Sequence, residues 1–275
     1  MQSKIIISLT FLALVRFVFP NKLDRIINGH YASPKQFPYQ TFMDKLDLSN
    51  LHGPIGWRRH CGGILISSNL VLTAAHCLDK PDIYAVKIYF GALNLWNVTE
   101  EGKQILVVKR DHFVIHNNWD RNLIVNDIAM IKLPISLILN DYIKAVQLPN
   151  PEVQYQFSEA LSSGWGDVDE KGNVDPKLKY YSSQILSDRE CEHWHKSSST
   201  SAFPASLICI APTENRLCKG DSGGPLVIRQ ESNFVLLGIT SFTFEKCLPS
   251  YPTFFTRVSS YLTWIRENAG SENQI

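Results

Sequence analysis

The chain has 275 residues, of which 44% are hydrophobic and 19% charged, with a formal net charge of +1. This length allows one large domain or two small ones, with ample apolar material for a core. A charge so near neutral gives no reason to expect a nucleic-acid partner, and the chain carries no low-complexity tract, short-period repeat or long run of like charge.

In chain order, the first residues read as an export signal. Lys4 supplies a positive start, Ile5 to Val15 form a short apolar run, and Arg16 interrupts it before Phe17, Val18, Phe19 and Pro20. A membrane-spanning helix needs about 20 apolar residues, so a signal peptide over 1–20 is expected, with no small-x-small pattern to mark its cleavage site. No later segment is apolar enough for a span. Short runs rich in branched apolar residues follow at Gly63–Ile66, Leu70–Leu72, Ala85–Phe90, Ile105–Val108 and Ile128–Ile131. Leu226–Ile228 and Phe234–Leu237 flank a polar turn, as in a hairpin. Many short strands between polar turns indicate an all-β sandwich or barrel. Leu148-Pro149-Asn150-Pro151 cannot be a central strand, because proline donates no ladder hydrogen bond, and is a natural linker between two halves. A helix is expected near the C-terminus, with Ser259 or Ser260 as cap and Tyr261, Leu262, Trp264 and Ile265 as its apolar face.

Six cysteines, Cys61, Cys77, Cys191, Cys209, Cys218 and Cys247, fit export, since an even count in an exported chain suggests disulfides. Counting alone does not choose the pairing. Zinc lacks its usual CxxC spacing, and His193 and His195 beside Cys191 are a weak metal signal, so an ordinary surface loop and no metal are expected there. Asn97-Val98-Thr99 is a glycosylation acceptor pattern.

Acyl transfer to a serine needs a base for the hydroxyl, a carboxylate to orient the base, and N–H donors for the oxyanion. Gly220-Asp221-Ser222-Gly223-Gly224-Pro225 offers a nucleophile within a glycine-permitted turn, able to aim the N–H groups of Gly220 and Ser222 at one point. His76 ends Thr73-Ala74-Ala75-His76 after an apolar strand, and Cys77 follows it. Asp127 stands at the mouth of another apolar strand in Asn126-Asp127-Ile128-Ala129. Taken singly, each has a bland reading as a structural histidine, a turn serine or a solvated turn acid.

Taken together and in the order His, Asp, Ser, the motifs RIINGH, TAAHC, NDIA and GDSGGP make the chain resemble the chymotrypsin family of serine peptidases from about Arg25 to Ala269. The resemblance implies two packed six-stranded antiparallel β-barrels, about 26–148 and 149–258, then a C-terminal α-helix, within a peptidase domain at 26–275. It implies a triad of His76, Asp127 and Ser222, an oxyanion hole from Gly220 and Ser222, and disulfides Cys61–Cys77, Cys191–Cys209 and Cys218–Cys247. A short propeptide, 21–25, would be removed by cleavage after Arg25, freeing the Ile26 amine to pair with Asp221. Ser163-Gly164-Trp165-Gly166 matches the family's Gly-Trp-Gly. Ser241-Phe242-Thr243 would pair with substrate backbone, with Phe242 where tryptophan is more usual.

The chain departs from the family at the substrate pocket. Trypsins place an aspartate six residues before the serine; here that position is Arg216. Two wall positions that are glycines in open pockets are Thr243 and Thr253. A guanidinium with branched walls argues against cleavage after Lys or Arg and for small or acidic side chains. The alternative is a chymotrypsin-like preference for Phe or Leu, with Arg216 swung away. The segment Met43–His60 is longer than usual. Ala92 replaces the first acid of the loop where trypsins hold calcium, an ion needing about six to eight oxygen ligands, so no calcium and no cofactor are expected. The resulting expectation is a secreted, extracellular, monomeric endopeptidase acting on proteins or peptides. Its partners would be an activating protease and protein inhibitors, with no nucleic acid and no membrane. The competing function is a non-catalytic binding homologue.

Overall fold

The computed structural model describes residues 29–47, 56–169, 171–198, 202–231, 233–244 and 247–270. The expected signal peptide (1–20), propeptide (21–25), Arg25 and Ile26 lie outside them.

Among the described residues, fourteen strands build two curled antiparallel sheets of seven strands each, not the six expected. In chain order they are β1 (His30–Tyr31), β2 (Gln40–Asp47), β3 (Gly56–Ser67), β4 (Leu70–Thr73), β5 (Ala85–Phe90), β6 (Gln104–Lys109), β7 (Phe113–Ile115), β8 (Ala129–Lys132), β9 (Glu159–Gly164), β10 (Lys179–Gln184), β11 (Leu207–Ile210), β12 (Pro225–Gln230), β13 (Asn233–Thr243) and β14 (Thr253–Arg257). The first sheet runs β6-β5-β2-β3-β4-β8-β7 and the second β1-β10-β9-β12-β13-β14-β11. The seventh strand of the second sheet is β1, which leaves the first half of the chain to pair with β10 through His30–Tyr180 and Tyr31–Lys179.

β3 and β4 bury their apolar runs as the sequence suggests: Cys61 to Ile66 on β3 and the whole of β4 are buried. The hairpin of β2 and β3 remains paired out to Asp47 opposite Gly56, so the long segment before Cys61 is an extended hairpin arm up to residues 48–55, which lie outside the description. One continuous apolar core crosses from the first sheet to the second, taking in Ile64, Leu72, Ile131, Trp165, Val227 and Ile239. At the seam, the Ser163 hydroxyl donates to Gln40 Oε1 at 2.7 Å, and Phe37, Tyr39 and Phe234 meet edge-on or tilted.

Among the described residues, two α-helices accompany the sheets. The stretch around His193 and His195, expected as a surface loop, is instead part of α1 (Asp188–Ser198). Its start is a capping box: Ser187 N–H and Oγ–H both reach Glu190 Oε2, at 2.8 and 2.6 Å, and Glu190 N–H returns to Ser187 Oγ. A 3₁₀ turn at Val258–Tyr261 leads into α2 (Leu262–Ala269). Neither Ser259 nor Ser260 caps α2: the turn absorbs both, and the residue before the helix is Tyr261, with no side-chain cap. Disulfides join Cys61 to Cys77, Cys191 to Cys209 and Cys218 to Cys247. No described helix is long and apolar enough to cross a membrane.

Candidate active site

Pairing of β4 with β8, which sets Thr73 opposite Ala129, brings the ends of the two strands together. His76 lies just past β4, in a single 3₁₀ turn, Ala75–Cys77, which the Cys61–Cys77 disulfide ties back to β3. Asp127 lies just before β8. Its neighbour Asn126 adopts a left-handed φ of 57°, and its side chain is held by the Asn118 carbonyl at 2.7 Å and the Tyr261 hydroxyl at 2.9 Å.

The Asp127 side chain is fully buried and saturated with donors. Oδ1 accepts the His76 backbone N–H at 2.9 Å. Oδ2 meets His76 Nδ1 at 2.8 Å and accepts the Ser241 hydroxyl at 2.5 Å. Thr256 Oγ1 donates to the Asp127 carbonyl at 2.7 Å. A carboxylate can only accept, so Nδ1 carries its proton toward Asp127, which leaves Nε2 a lone pair when the ring is neutral. Ser241, expected as part of the substrate-binding edge, thus also turns its side chain onto this acid.

Ser222 lies in the loop between the Cys218–Cys247 disulfide and β12. The loop is a chain of short bonds: Asp221 N–H to the Cys218 carbonyl, Gly224 N–H to the Asp221 carbonyl and Gly223 N–H to the Thr240 carbonyl, at 3.0, 2.9 and 2.8 Å. Gly220 and Gly223 have φ of 98° and 77°, a backbone conformation that other residues resist. Among the described residues, the N–H groups of Gly220 and Ser222 donate to no other group. The loop meets the first sheet where Gly62 N–H donates to the Ser222 carbonyl at 2.7 Å, next to the disulfide that anchors His76. No hydrogen bond joins His76 to Ser222 among the described residues; such contacts commonly close only around substrate.

Asp221 is buried. Gly166 N–H donates to Oδ1 at 2.7 Å and Cys218 N–H to Oδ2 at 3.0 Å. Burial raises its carboxyl to about 6 against the pull of those two donors.

A family model for trypsin matches residues 26–265. The chain belongs to the trypsin family. It is 33% identical over 258 residues to chymotrypsin-C of Bos taurus, covering 90% of each chain. It is 31% identical over 250 residues to trypsin-1 of Astacus astacus, covering 89% of this chain and 100% of that one. Brachyurin of Leptuca pugilator is 33% identical over 250 residues, covering 89% and 99%. The chain is a serine endopeptidase of this family, a hydrolase acting on proteins.

Around the expected pocket, this trypsin-family chain places Thr243 opposite Thr253 across β13 and β14, with Thr253 buried. Arg216 is half-buried. Its Nε–H donates to the Cys247 carbonyl and a terminal N–H to the Glu214 carbonyl at 3.3 Å, so main-chain oxygens hold the guanidinium. Tyr181, which no sequence motif marked, is buried on β10, with its hydroxyl beside the Thr253 side chain and the Leu217 main chain.

In the loop where calcium was considered, the Glu100 carboxylate accepts the N–H groups of Leu93 and Asn94. The Lys103 ammonium donates to the carbonyls of Asn94, Leu95 and Asn97 at 3.1, 3.1 and 2.7 Å, so the protein's own cation takes up these oxygens. His195, expected in a surface loop, lies on α1. It is buried against the rings of Phe203, Phe244 and Phe254, and that burial lowers its affinity for a proton. The cluster of ligand types found among the described residues is Cys61, His76 and Cys77, and its two sulfurs are spent in a disulfide. Asn97 is exposed, with Oδ1 accepting both N–H and Oγ–H of Thr99 at 3.1 Å.

Proposed function

We propose that the chain is the precursor of a secreted, monomeric endopeptidase whose triad is His76, Asp127 and Ser222. Ser222 Oγ attacks the peptide carbonyl as His76 Nε2 takes its proton. The N–H groups of Gly220 and Ser222 receive the oxyanion, and the imidazolium then protonates the leaving amine. Asp127 fixes the tautomer and stabilises the charged ring. The observation that carries this reading is the buried carboxylate gripping both the backbone N–H and Nδ1 of His76, which leaves the ring no freedom to turn.

Removal of 1–20 on export and cleavage after Arg25 would precede activity. Asp221 supports this second step. It is a buried acid with two N–H donors and, among the described residues, no ion pair in direct contact, the kind of site a freed Ile26 amine would stabilise. The preferred side chain before the cut is small or acidic. Thr243 and Thr253 narrow the slot, and the Arg216 guanidinium keeps a positive charge beside it, against Lys or Arg. Relatives named for trypsin and chymotrypsin lie at nearly equal identity, so overall likeness does not choose a specificity.

The test is covalent labelling with a peptidyl phosphonate after cleavage by a trypsin-type activator. The wild type should be labelled at Ser222, and Ser222→Ala and His76→Ala should fold yet retain only the ~10³–10⁴-fold rate over water that survives triad loss. Folded variants with near-normal turnover would overturn the mechanism. An activated wild type that takes no label would favour a binding homologue.

A further inference from the structure

Arg59 is a half-buried cation that the reaction as described does not use. It lies on β3 opposite Asp44, at the bulge following Met43, and two residues before Cys61. Its guanidinium sits over the ring of Phe42, 4.8 Å from the centroid, and Phe42 is itself buried 5.8 Å from the Trp165 ring. From there its terminal N–H donates to the Trp165 carbonyl.

That carbonyl belongs to the same peptide unit as the Gly166 N–H, which donates to Asp221 Oδ1 at 2.7 Å. One peptide is therefore clamped between a cation at its oxygen and a carboxylate at its N–H. Each charge polarises the unit in the sense that strengthens the other bond. The clamped peptide also packs tightly against the nucleophile loop. A Cβ on Gly166 would come within 2.3 Å of Asp221 Oδ2, and one on Gly220 within 3.2 Å of Gly166 Cα. The next residue is pinned as well, with Asp167 N–H donating to the Lys219 carbonyl at 2.8 Å.

We infer that Arg59 is a positioning residue for the oxyanion hole, acting through the Trp165–Gly166 peptide on Asp221 and Gly220. The inference rests on the proposed role of Gly220 and Ser222 as oxyanion donors. Arg59 touches neither substrate nor triad. It fixes the plane of the peptide against which Gly220 rests, and it holds positive charge near an acid that must stay ionised to accept both of its N–H donors. The charged groups acting on Arg59 are Asp221, Asp44, Asp167 and Asp175; those acting on Asp221 are Arg59 and Asp167. Arg59 favours the ionised form of Asp221 while burial and Asp167 oppose it. After cleavage the proposed Ile26 ammonium joins Arg59 in favouring the ionised acid; removing the guanidinium still raises the Asp221 pKa relative to the cut wild type, so its bonds weaken at a higher pH.

The experiment uses the activated enzyme and two variants, Arg59→Met, which keeps an apolar stem on Phe42, and Arg59→Lys. Sites are counted by phosphonate titration, and kcat, KM and the acidic limb of the pH profile are measured per titrated site. Loss of an oxyanion donor itself costs ~10²–10³ in kcat; a misaimed one should cost Arg59→Met about ten-fold, with KM changed less than about three-fold. The acidic limb should move to higher pH. A peptidyl aldehyde, whose adduct oxygen occupies the hole, should bind more weakly, while the matching alcohol binds as before. Arg59→Lys, retaining the charge, should recover the acidic limb. A variant that loses thermal stability or titratable sites but keeps wild-type kcat and acidic limb per site would make Arg59 merely structural and overturn the inference. A wild type that takes no phosphonate would overturn the peptidase reading and this one with it, whereas a labelled wild type with an unaffected Arg59→Met overturns this one alone.

Discussion

Asp127→Asn isolates what the buried acid contributes. The amide has one accepting oxygen where the carboxylate has two, and three donors compete for it: the His76 backbone N–H at Oδ1, and His76 Nδ1–H and the Ser241 hydroxyl at Oδ2. Two orientations are available. With its NH2 at the Oδ1 position, the amide meets a backbone N–H that cannot reverse its role, leaving a buried donor facing a donor at a cost of ~1–3 kcal/mol. With its NH2 at the Oδ2 position, both neighbours can adapt: the Ser241 hydroxyl rotates to accept, and the imidazole moves its proton from Nδ1 to Nε2. The second orientation wins, and it places a proton on the nitrogen that receives the Ser222 proton in the proposed mechanism. The fold should survive, since a neutral amide is also cheaper to bury than a carboxylate. kcat should fall by ~10⁴, as expected for a wrong tautomer. The assay pairs turnover of a peptide anilide at neutral pH with thermal unfolding. Ser241→Ala is the control, because it removes one donor to Oδ2 and leaves the tautomer intact, so its loss should be far smaller. A folded Asp127→Asn enzyme within ten-fold of wild-type kcat, or a Ser241→Ala loss equal to it, would refute the tautomer argument.

Three further predictions concern activation, specificity and pH. Arg25→Gln should leave a precursor that a trypsin-type activator cannot switch on; in the cut wild type the Ile26 amine gains an acidic partner on folding, its pKa rises above ~8, and the activity the pair supports should be complete below that value and fade as pH climbs through the raised one. Arg216→Ser should widen tolerance toward larger apolar side chains and weaken acidic preference in kcat/KM on peptides differing only before the cut (Ala, Leu, Phe, Asp, Arg); wild-type preference for Arg would sink the pocket reading, and preference for Phe or Leu would mean a chymotrypsin-like slot. In the uncut precursor, Asp221 has a pKa raised from 3.8 to about 6, so the folded state holds more protons than the unfolded one across that window. Stability should therefore decline by ~3 kcal/mol as pH rises through it, then level off. Asp221→Asn should flatten that slope in denaturant titrations, and an unchanged slope would count against it.

Legibility in the sequence followed local pattern. The strands β3, β4, β5, β6, β8 and β12 announced themselves as branched apolar runs, even where, as at Ile105 and Val107 of β6, some of those side chains stay exposed. β9 and β10 did not: Glu159–Gly164 and Lys179–Gln184 carry Ser162, Ser163, Lys179 and Ser183 inward. A buried Lys179 is tolerated because Asp175 lies 2.9 Å away, a compensation four residues off that hides the strand. α1 was missed because polar and charged residues dominate it, although Ser187 and Glu190 form a capping box that spacing could have revealed. At the site, the three triad candidates came from motif order, no local pattern pointed to Tyr181 or Thr256, and the long Met43–His60 segment drew notice to Arg59 without tying it to Trp165. Each acts across a long separation: Thr256 reaches Asp127 over 129 residues, and Arg59 reaches Trp165 over 106.

Those long separations have a common direction. Asp127 and His76 belong to the first sheet, yet two hydroxyls that fix Asp127, from Ser241 and Thr256, come from β13 and β14 of the second. Ser222 belongs to the second sheet's side, yet its carbonyl is held by Gly62 on β3, and the peptide behind its loop is held by Arg59 on the same strand. Each sheet thus orients the chemical groups the other carries. Side chains on a single sheet could keep their own strand register while the two halves shifted, but these crossed bonds would all break in such a shift. The covalent crosslinks do not prevent it, since Cys61–Cys77 stays within the first half and Cys191–Cys209 and Cys218–Cys247 within the second. Alignment of the site therefore depends on non-covalent contact across the seam, from the shared apolar core and from buried bonds such as Ser163 to Gln40, so the geometry of the site is a property of the packed pair and of neither half alone.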